Sequence, residues 1–159
     1  TWQAIEGLRA VGVSSDDPRI DAGVNWLISA QQPNGAWGES PASYADPALK
    51  GVGEPTASQT AWAVAGLVAA NKSMTPSAQR GIQWLLTTQR ADGDWNETAF
   101  TGTGFPKVFY LRYHYYRISF PLIAIARWHS SVGVESNGQK RMYAESRERV
   151  SEMYEGVLS

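Results

Sequence analysis

Apolar positions along this 159-residue chain fall into two alternating kinds of segment. One kind is apolar nearly all round and rich in alanine. SQTAWAVAGLVAA is the clearest case, and such a segment suits a helix buried on most sides. The other kind is amphipathic: in IDAGVNWLISAQQ, residues Ile20, Val24, Leu27 and Ile28 recur at helical spacing. The stretch SSDDP ahead of it supplies an N-cap and a proline for the first turn, so Asp16 and Asp17 read as capping residues. MTPSAQRGIQWLLTTQ repeats the design, with Thr75 as cap and Pro76 as first helical position. PNG and ADG follow the two amphipathic segments and read as turns with a glycine available for positive φ.

The alternation is a repeat. At a single shift of 58, Gly23, Trp26, Leu27, Gln31, Gly35, Trp37 and Glu39 coincide with Gly81, Trp84, Leu85, Gln89, Gly93, Trp95 and Glu97. Thr1, Gly7, Leu8 and Ala10 match Thr60, Gly66, Leu67 and Ala69 at a shift of 59. RISFPLIAIARW stands where a third apolar helix is due. Two-helix units of this period predict an all-α fold of αα-hairpin repeats forming part of an (α/α) barrel or toroid, with the apolar helices inside. Gln31 and Gln89 end the amphipathic helices, where an amide can satisfy groups orphaned at a neighbouring helix end. Trp37 and Trp95, six residues later, can lie over that amide and exclude water. The pair is expected to staple successive outer helices. Ligand stacking on the tryptophans is the alternative.

The repeat covers residues 1–128, and the character then changes. Residues 129–159 read as a polar linker followed by a helical tail, with Tyr143, Val150, Tyr154 and Val157 at helical intervals and a Glu145–Arg149 pair one turn apart. The chain opens inside an apolar helical pattern, which suggests a piece of a longer protein.

Composition narrows the chemistry. Fourteen basic and fifteen acidic residues offer no electrostatic reason to expect nucleic acid as a partner. With no cysteine and two histidines, thiolate sites are excluded and no metal site is expected. There is no phosphate loop, dinucleotide fingerprint or Gly-x-Ser-x-Gly. No signal peptide or transmembrane segment is evident. Aromatics crowd one region instead: TGTGFPKVFYLRYHYYR presents Phe105, Phe109, Tyr110, Tyr113, Tyr115 and Tyr116 around a glycine- and proline-rich turn. They fit either core packing or a cavity wall whose rings stabilise carbocations through their quadrupoles.

The pattern Gly-x-x-Trp-Leu-x-x-x-Gln-x-x-x-Gly-x-Trp resembles the QW repeat of the triterpene cyclases. GEPTASQTAWAVAGL and the block from GTGFP through FYL and Y-x-x-YR to FP are similar to segments of bacterial squalene–hopene cyclases. The resemblance implies the C-terminal portion of an enzyme that protonates a linear polyprene and stabilises the resulting cations. By position it implies Phe105 and Phe109 as cation-stabilising residues, and Leu111, Tyr113 and Tyr116 as substrate-shaping ones. Arg112 and His114 depart from the family pattern; on a helix they would flank the cavity and face away. The implied partners are squalene or a related polyprene, the rest of a parent cyclase chain, a second copy as a homodimer, and a membrane surface on which the enzyme sits as a monotopic protein. No cofactor is implied.

Protonating an alkene needs a strong carboxylic acid, which the family carries in an Asp-x-Asp-Asp motif. This sequence has none. The acid is therefore expected upstream, and the segment alone is expected to be inactive. The competing reading is a non-catalytic αα-hairpin module that binds an apolar ligand or a protein partner on its concave face. An isolated part of a ring would leave apolar inner helices exposed and is expected to be unstable or to self-associate.

Overall fold

Caps and prolines decide where the helices begin. A computed structural model describes residues 1–133, and in it helix α1 spans Trp2–Ala10 and α2 spans Pro18–Ser29. Helices α3 and α4 span Ala57–Ala69 and Pro76–Thr88, and α5 occupies residues 116–133. Pro18 and Pro76 open α2 and α4 behind the cap residues Asp17 and Thr75, each of which accepts a first-turn N–H. Thr56 caps α3 in the same way. Helix α3 ends at Ala70, and Asn71 follows in the left-handed region, φ 57°.

The two kinds of helix play different parts. Nine of the thirteen α3 residues are buried, among them Ala57, Ala61, Val64 and Leu67, so its small side chains let neighbours approach on several sides. Helix α3 packs on both α1 and α4, which makes it the centre of the core. The outer helices bury one stripe only: Ile20, Val24 and Leu27 in α2, and Ala78, Gly81, Ile82 and Leu85 in α4. Ile28, placed on that stripe by spacing, is 40% exposed.

Successive units repeat their turns in detail. After α2, Gly35 takes φ +90° and the Trp37 indole N–H donates to the Leu27 carbonyl at 2.7 Å. After α4, Gly93 takes φ +85° and the Trp95 indole N–H donates to the Leu85 carbonyl at 2.8 Å. Positive φ carries little steric cost for glycine, and each turn uses it to fold the chain back onto the helix it has just left.

The all-α expectation needs one amendment. TGTGFPKVFYL forms an antiparallel hairpin, β1 (Gly102–Phe105) and β2 (Phe109–Leu111), between α4 and α5. Two glycines and a proline within five residues break a helix, while Phe109 and Tyr110 suit a strand. Arg112 and His114 thus lie on the exit from a hairpin rather than on a helix, and both are exposed. Among the described residues the molecule is otherwise helical and forms no closed ring. Helix α5 runs on through residue 133, where the Trp128 indole donates to the Ser73 carbonyl at 2.9 Å and Ser131 bonds Ser73 at 2.7 Å. The expected tail helix at Tyr143, Val150, Tyr154 and Val157 lies outside the described residues.

Two outcomes follow from this packing. A Cβ at Gly81 would stand 2.7 Å from Val64 and 2.8 Å from the Trp37 ring, so Gly81→Ala should destabilise the fold by about 1–3 kcal/mol, read from the urea midpoint of the complete chain. The Arg19 side chain, then its backbone N–H, holds the Asp17 carboxyl down at about 2, from an ordinary 3.8. A depressed acid stabilises above its unfolded pKa. The advantage of Asp17 over Asp17→Asn should therefore be complete above pH 4 and fade between pH 4 and 2 in thermal melts.

Candidate functional site

The hairpin turn sets the positions of the two phenylalanines. Pro106 and Lys107 are its central residues, and the Val108 N–H closes it on the Phe105 carbonyl at 3.0 Å. Lys107 sits at φ 66°, a conformation that glycine usually supplies, and its N–H donates to the Tyr110 hydroxyl at 3.1 Å. Thr103 pairs with Tyr110, and Phe105 pairs with Phe109, so β1 carries one residue more than β2 across this stretch. Side chains alternate across a strand, which puts Tyr110 and Phe109 on opposite faces. The bulge at Gly104 brings Phe105 over to the Phe109 side. There the rings meet edge to face, with centroids 5.7 Å apart. The Phe109 ring lies where a side chain at residue 104 would have to be.

The phenylalanine face of the hairpin is open, with Phe105 65% and Phe109 45% exposed. Its other face meets the body of the protein. Thr103 and Tyr110 line a cleft of ≈ 390 Å³ that also reaches Tyr44, Trp2 and Trp62. Phe105, Phe109, Leu111, Tyr113 and Tyr116 do not line that cleft. Leu111 is half-buried at the end of β2.

Tyr113 and Tyr116 belong to a chain of rings instead. Tyr113 stacks on Tyr116 at 4.5 Å, and Tyr116 stands edge-on to Phe120 at 5.0 Å and to Trp62 at 5.9 Å. Trp62 in turn meets Phe120 edge-on at 5.4 Å and stacks on Trp2 at 6.0 Å. One aromatic array therefore crosses from α1 through α3 to α5. Sequence reasoning missed Trp2, Trp62 and Phe120. A signal was available, since Trp2 and Trp62 occupy neighbouring places in TWQAIEGL and TAWAVAGL, the matched first helices of two units. The indole nitrogen of Trp62 is buried with no hydrogen-bond partner. Its N–H thus faces neither water nor an acceptor.

The staple residues behave differently in the two units. Gln31 donates to the Gly35 carbonyl at 2.8 Å and across units to the Ser77 carbonyl at 2.9 Å, while its own oxygen accepts from Arg80. Ser77 lies in the first turn of α4, so the amide meets a carbonyl there rather than an orphaned N–H. Trp37 reaches the same helix at Gly81. Gln89 is exposed and, among the described residues, bonds only its own Gly93 carbonyl, at 3.0 Å.

A fourth residue was missed: Glu97. It is 5% exposed, and its two oxygens accept from the Ser58 N–H and the Ser58 hydroxyl, both at 2.8 Å. A carboxylate at the start of α3 is favoured by the helix dipole. It also accepts from Thr101, one residue before β1, at 3.5 Å. Close by, Arg117 at the start of α5 pairs with Asp94 at 2.7 Å. These contacts tie both ends of the hairpin segment to the second unit.

Comparison with known proteins finds relatives over most of the chain. The sequence profile of the Squalene-hopene cyclase C-terminal domain matches residues 1–130. A squalene–hopene cyclase of Bradyrhizobium diazoefficiens is 46% identical over 129 residues, which cover 80% of this chain and 20% of the relative. The squalene–hopene cyclase of Alicyclobacillus acidocaldarius is 44% identical over 132 residues, 83% of this chain and 21% of that one. A dammaradiene synthase of Dryopteris crassirhizoma is 44% identical over 142 residues, with 80% of this chain and 21% of the relative covered. The chain spans about a fifth of the length of these relatives.

Removing the Glu97 carboxylate leaves the Ser58 N–H buried without an acceptor. Glu97→Ala should cost about 2–3 kcal/mol in urea unfolding, and Glu97→Gln, which keeps one acceptor oxygen, should cost less.

Proposed function

Because this chain belongs to the squalene–hopene cyclase C-terminal domain family, we propose that it forms one flank of the cavity in which a triterpene cyclase folds and cyclises a linear polyprene, squalene or a close relative. The observation that carries this reading is the aromatic array from Trp2 through Trp62, Phe120 and Tyr116 to Tyr113, together with the Phe105–Phe109 pair on the hairpin that precedes α5. Polyprene cyclisation begins with a neutral hydrocarbon and then moves positive charge along it. A ring face attracts a cation by about 2 kcal/mol when desolvated. Unlike a carboxylate, it does not capture the cation or take its proton early. Phe105 and Phe109 would stabilise the later cations. Leu111, Tyr113 and Tyr116 would shape the folded chain, and Trp2 and Trp62 would extend the wall.

The initiating acid belongs to another part of the parent protein. Asp17 is committed to α2 as its cap and to Arg19 at 2.8 Å, and Asp16 lies beside it on the same loop. Neither is placed as a protonated donor in an aromatic cavity. The segment supplies wall and the rest of the parent supplies the proton, so the enzyme would be an isomerase-type catalyst only as the longer chain. It requires no cofactor in this reading. Peripheral association with a membrane, where a polyprene resides, belongs to the same proposal. Among the described residues no helix is long and apolar enough to cross one.

The cleft behind the hairpin favours a second reading, a non-catalytic module that holds an apolar ligand between Tyr44, Tyr110 and Trp62. The two readings part on one experiment. In the complete parent protein, Phe105→Ala and Phe109→Ala should each shift the products from squalene toward partly cyclised ones and lower turnover about tenfold or more, as expected for loss of about 2 kcal/mol of cation stabilisation. Gas chromatography with mass detection reads the products. An unaltered product profile in both variants removes the cavity-wall assignment and leaves the binding module.

A further inference from the structure

The hairpin's second face has a support of its own. We propose that Tyr44, on the loop between α2 and α3, is a positioning residue: it backs Tyr110 and so fixes where Phe105 and Phe109 stand. This rests on the reading of the phenylalanine pair as a cavity wall.

The loop that carries Tyr44 is folded by one carboxylate. Glu39 accepts from the Ser43 hydroxyl at 2.7 Å and from the Gly51 N–H at 2.9 Å, drawing the two ends of the loop together. Gln59 on α3 then holds Glu39 by its backbone, accepting from its N–H at 2.6 Å and donating to its carbonyl at 3.1 Å. Ser40 caps the short 3-10 turn Pro41–Tyr44, which ends on the tyrosine. Tyr44 is therefore delivered from a clamped loop whose base is the central helix of the core.

Tyr44 stacks offset on Tyr110, with centroids 6.2 Å apart and planes 27° from parallel. Tyr110 sits on the opposite side of the pleat from Phe109, and its hydroxyl holds the Lys107 N–H at the turn between the two phenylalanines. A displacement of the Tyr110 ring is thus passed to the turn and to both neighbours. The polar ties elsewhere on the hairpin segment are long: Thr101 to Glu97 at 3.5 Å and Arg112 to the Thr98 carbonyl at 3.4 Å, both near its ends. Bonds of that length hold geometry weakly. Among the described residues, Tyr44 is the one ring outside the hairpin that meets Tyr110.

The repeat explains why the two loops lie side by side. Ser43 bonds Glu39, and Thr101 bonds Glu97, at positions 58 apart in both cases. The Tyr44 loop and the hairpin are the same segment of successive units, elaborated differently, and neighbouring units place them in contact.

The test uses the complete parent protein with squalene, and compares Tyr44→Ala and Tyr44→Phe with Phe105→Ala. A misplacement of a cavity wall by about an ångström can cost up to roughly a hundredfold. Tyr44→Ala should lower kcat by about tenfold to a hundredfold with KM little changed, and raise the same partly cyclised products that Phe105→Ala gives. Tyr44→Phe keeps the ring and should restore both. Tyr44 is half exposed and lies outside the core, so the alanine variant should retain the parent's circular dichroism spectrum. A Tyr44→Ala enzyme with lower thermal stability or active fraction but unchanged product proportions would overturn the proposal, because a merely structural role predicts that result. So would full activity of Tyr44→Ala where Phe105→Ala alters the products. If Phe105→Ala and Phe109→Ala also leave products unchanged, the wall reading itself falls and the positioning role with it.

Discussion

The bond from each turn tryptophan to the carbonyl ten residues earlier is the contact on which the rest of the architecture depends. In both units the indole N–H reaches back to the last turns of the outer helix, Trp37 to Leu27 and Trp95 to Leu85. Each ring is almost fully buried, so a misplaced indole would leave a donor without water or acceptor. With the ring fixed, the direction of the following backbone is fixed too. Trp37 exchanges bonds with Thr60 and accepts from the Thr56 N–H, which sets the start of α3 against the first unit. Two residues beyond Trp95, Glu97 reaches back to Ser58 at the same helix start. One central helix thus receives both units.

From that constraint follows the geometry of the hairpin. The second unit leaves its tryptophan on a path anchored by Glu97, and the chain must return to begin α5 near Asp94, where Arg117 waits. Residues 98–115 have to cover this excursion, and a two-stranded hairpin does so while pairing its own backbone groups. Alternation along β2 separates Phe109 from Tyr110, and the bulge at Gly104 brings Phe105 to the Phe109 side. Phe105 and Phe109 take one face and Tyr110 the other. The pairing of the two exposed rings on one side is the consequence of one extra residue in β1.

The units are alike in their turns and unlike in their environments. Gln31 is half-buried, and its amide bonds Gly35 in its own turn as well as Ser77 and Arg80 on α4 of the next unit. Gln89 has the same internal bond and an exposed side chain. In a repeat array each unit contacts only its neighbours, so identical sequence can meet quite different surroundings. The local fold of the staple needs no neighbour, whereas its cross-unit bonds do.

Much of this was legible in the sequence because it is periodic or local. The shift of 58, the caps at Asp17 and Thr75, and the glycine turns before Trp37 and Trp95 are short-range signals, and each corresponds to a helix start or a turn in the structure. The motif block also carried the family. What the sequence could not decide was which rings share a surface. Trp2, Trp62 and Phe120 lie on three helices far apart in the chain and become one array only when α1, α3 and α5 pack. The glycine- and proline-rich turn was legible, but the strands on either side of it were not: the all-α repeat gave no place for them, and they exist through the pairing of Thr103 with Tyr110 and Phe105 with Phe109. The repeat marked Glu97 as the counterpart of Glu39, but its burial and its bonds to Ser58 exist only because α3 packs there. Helix starts and turns are settled by interactions within a few residues of chain. Ring contacts and buried charge partners are settled by packing between segments that the linear order leaves apart, and for those the tertiary structure was decisive.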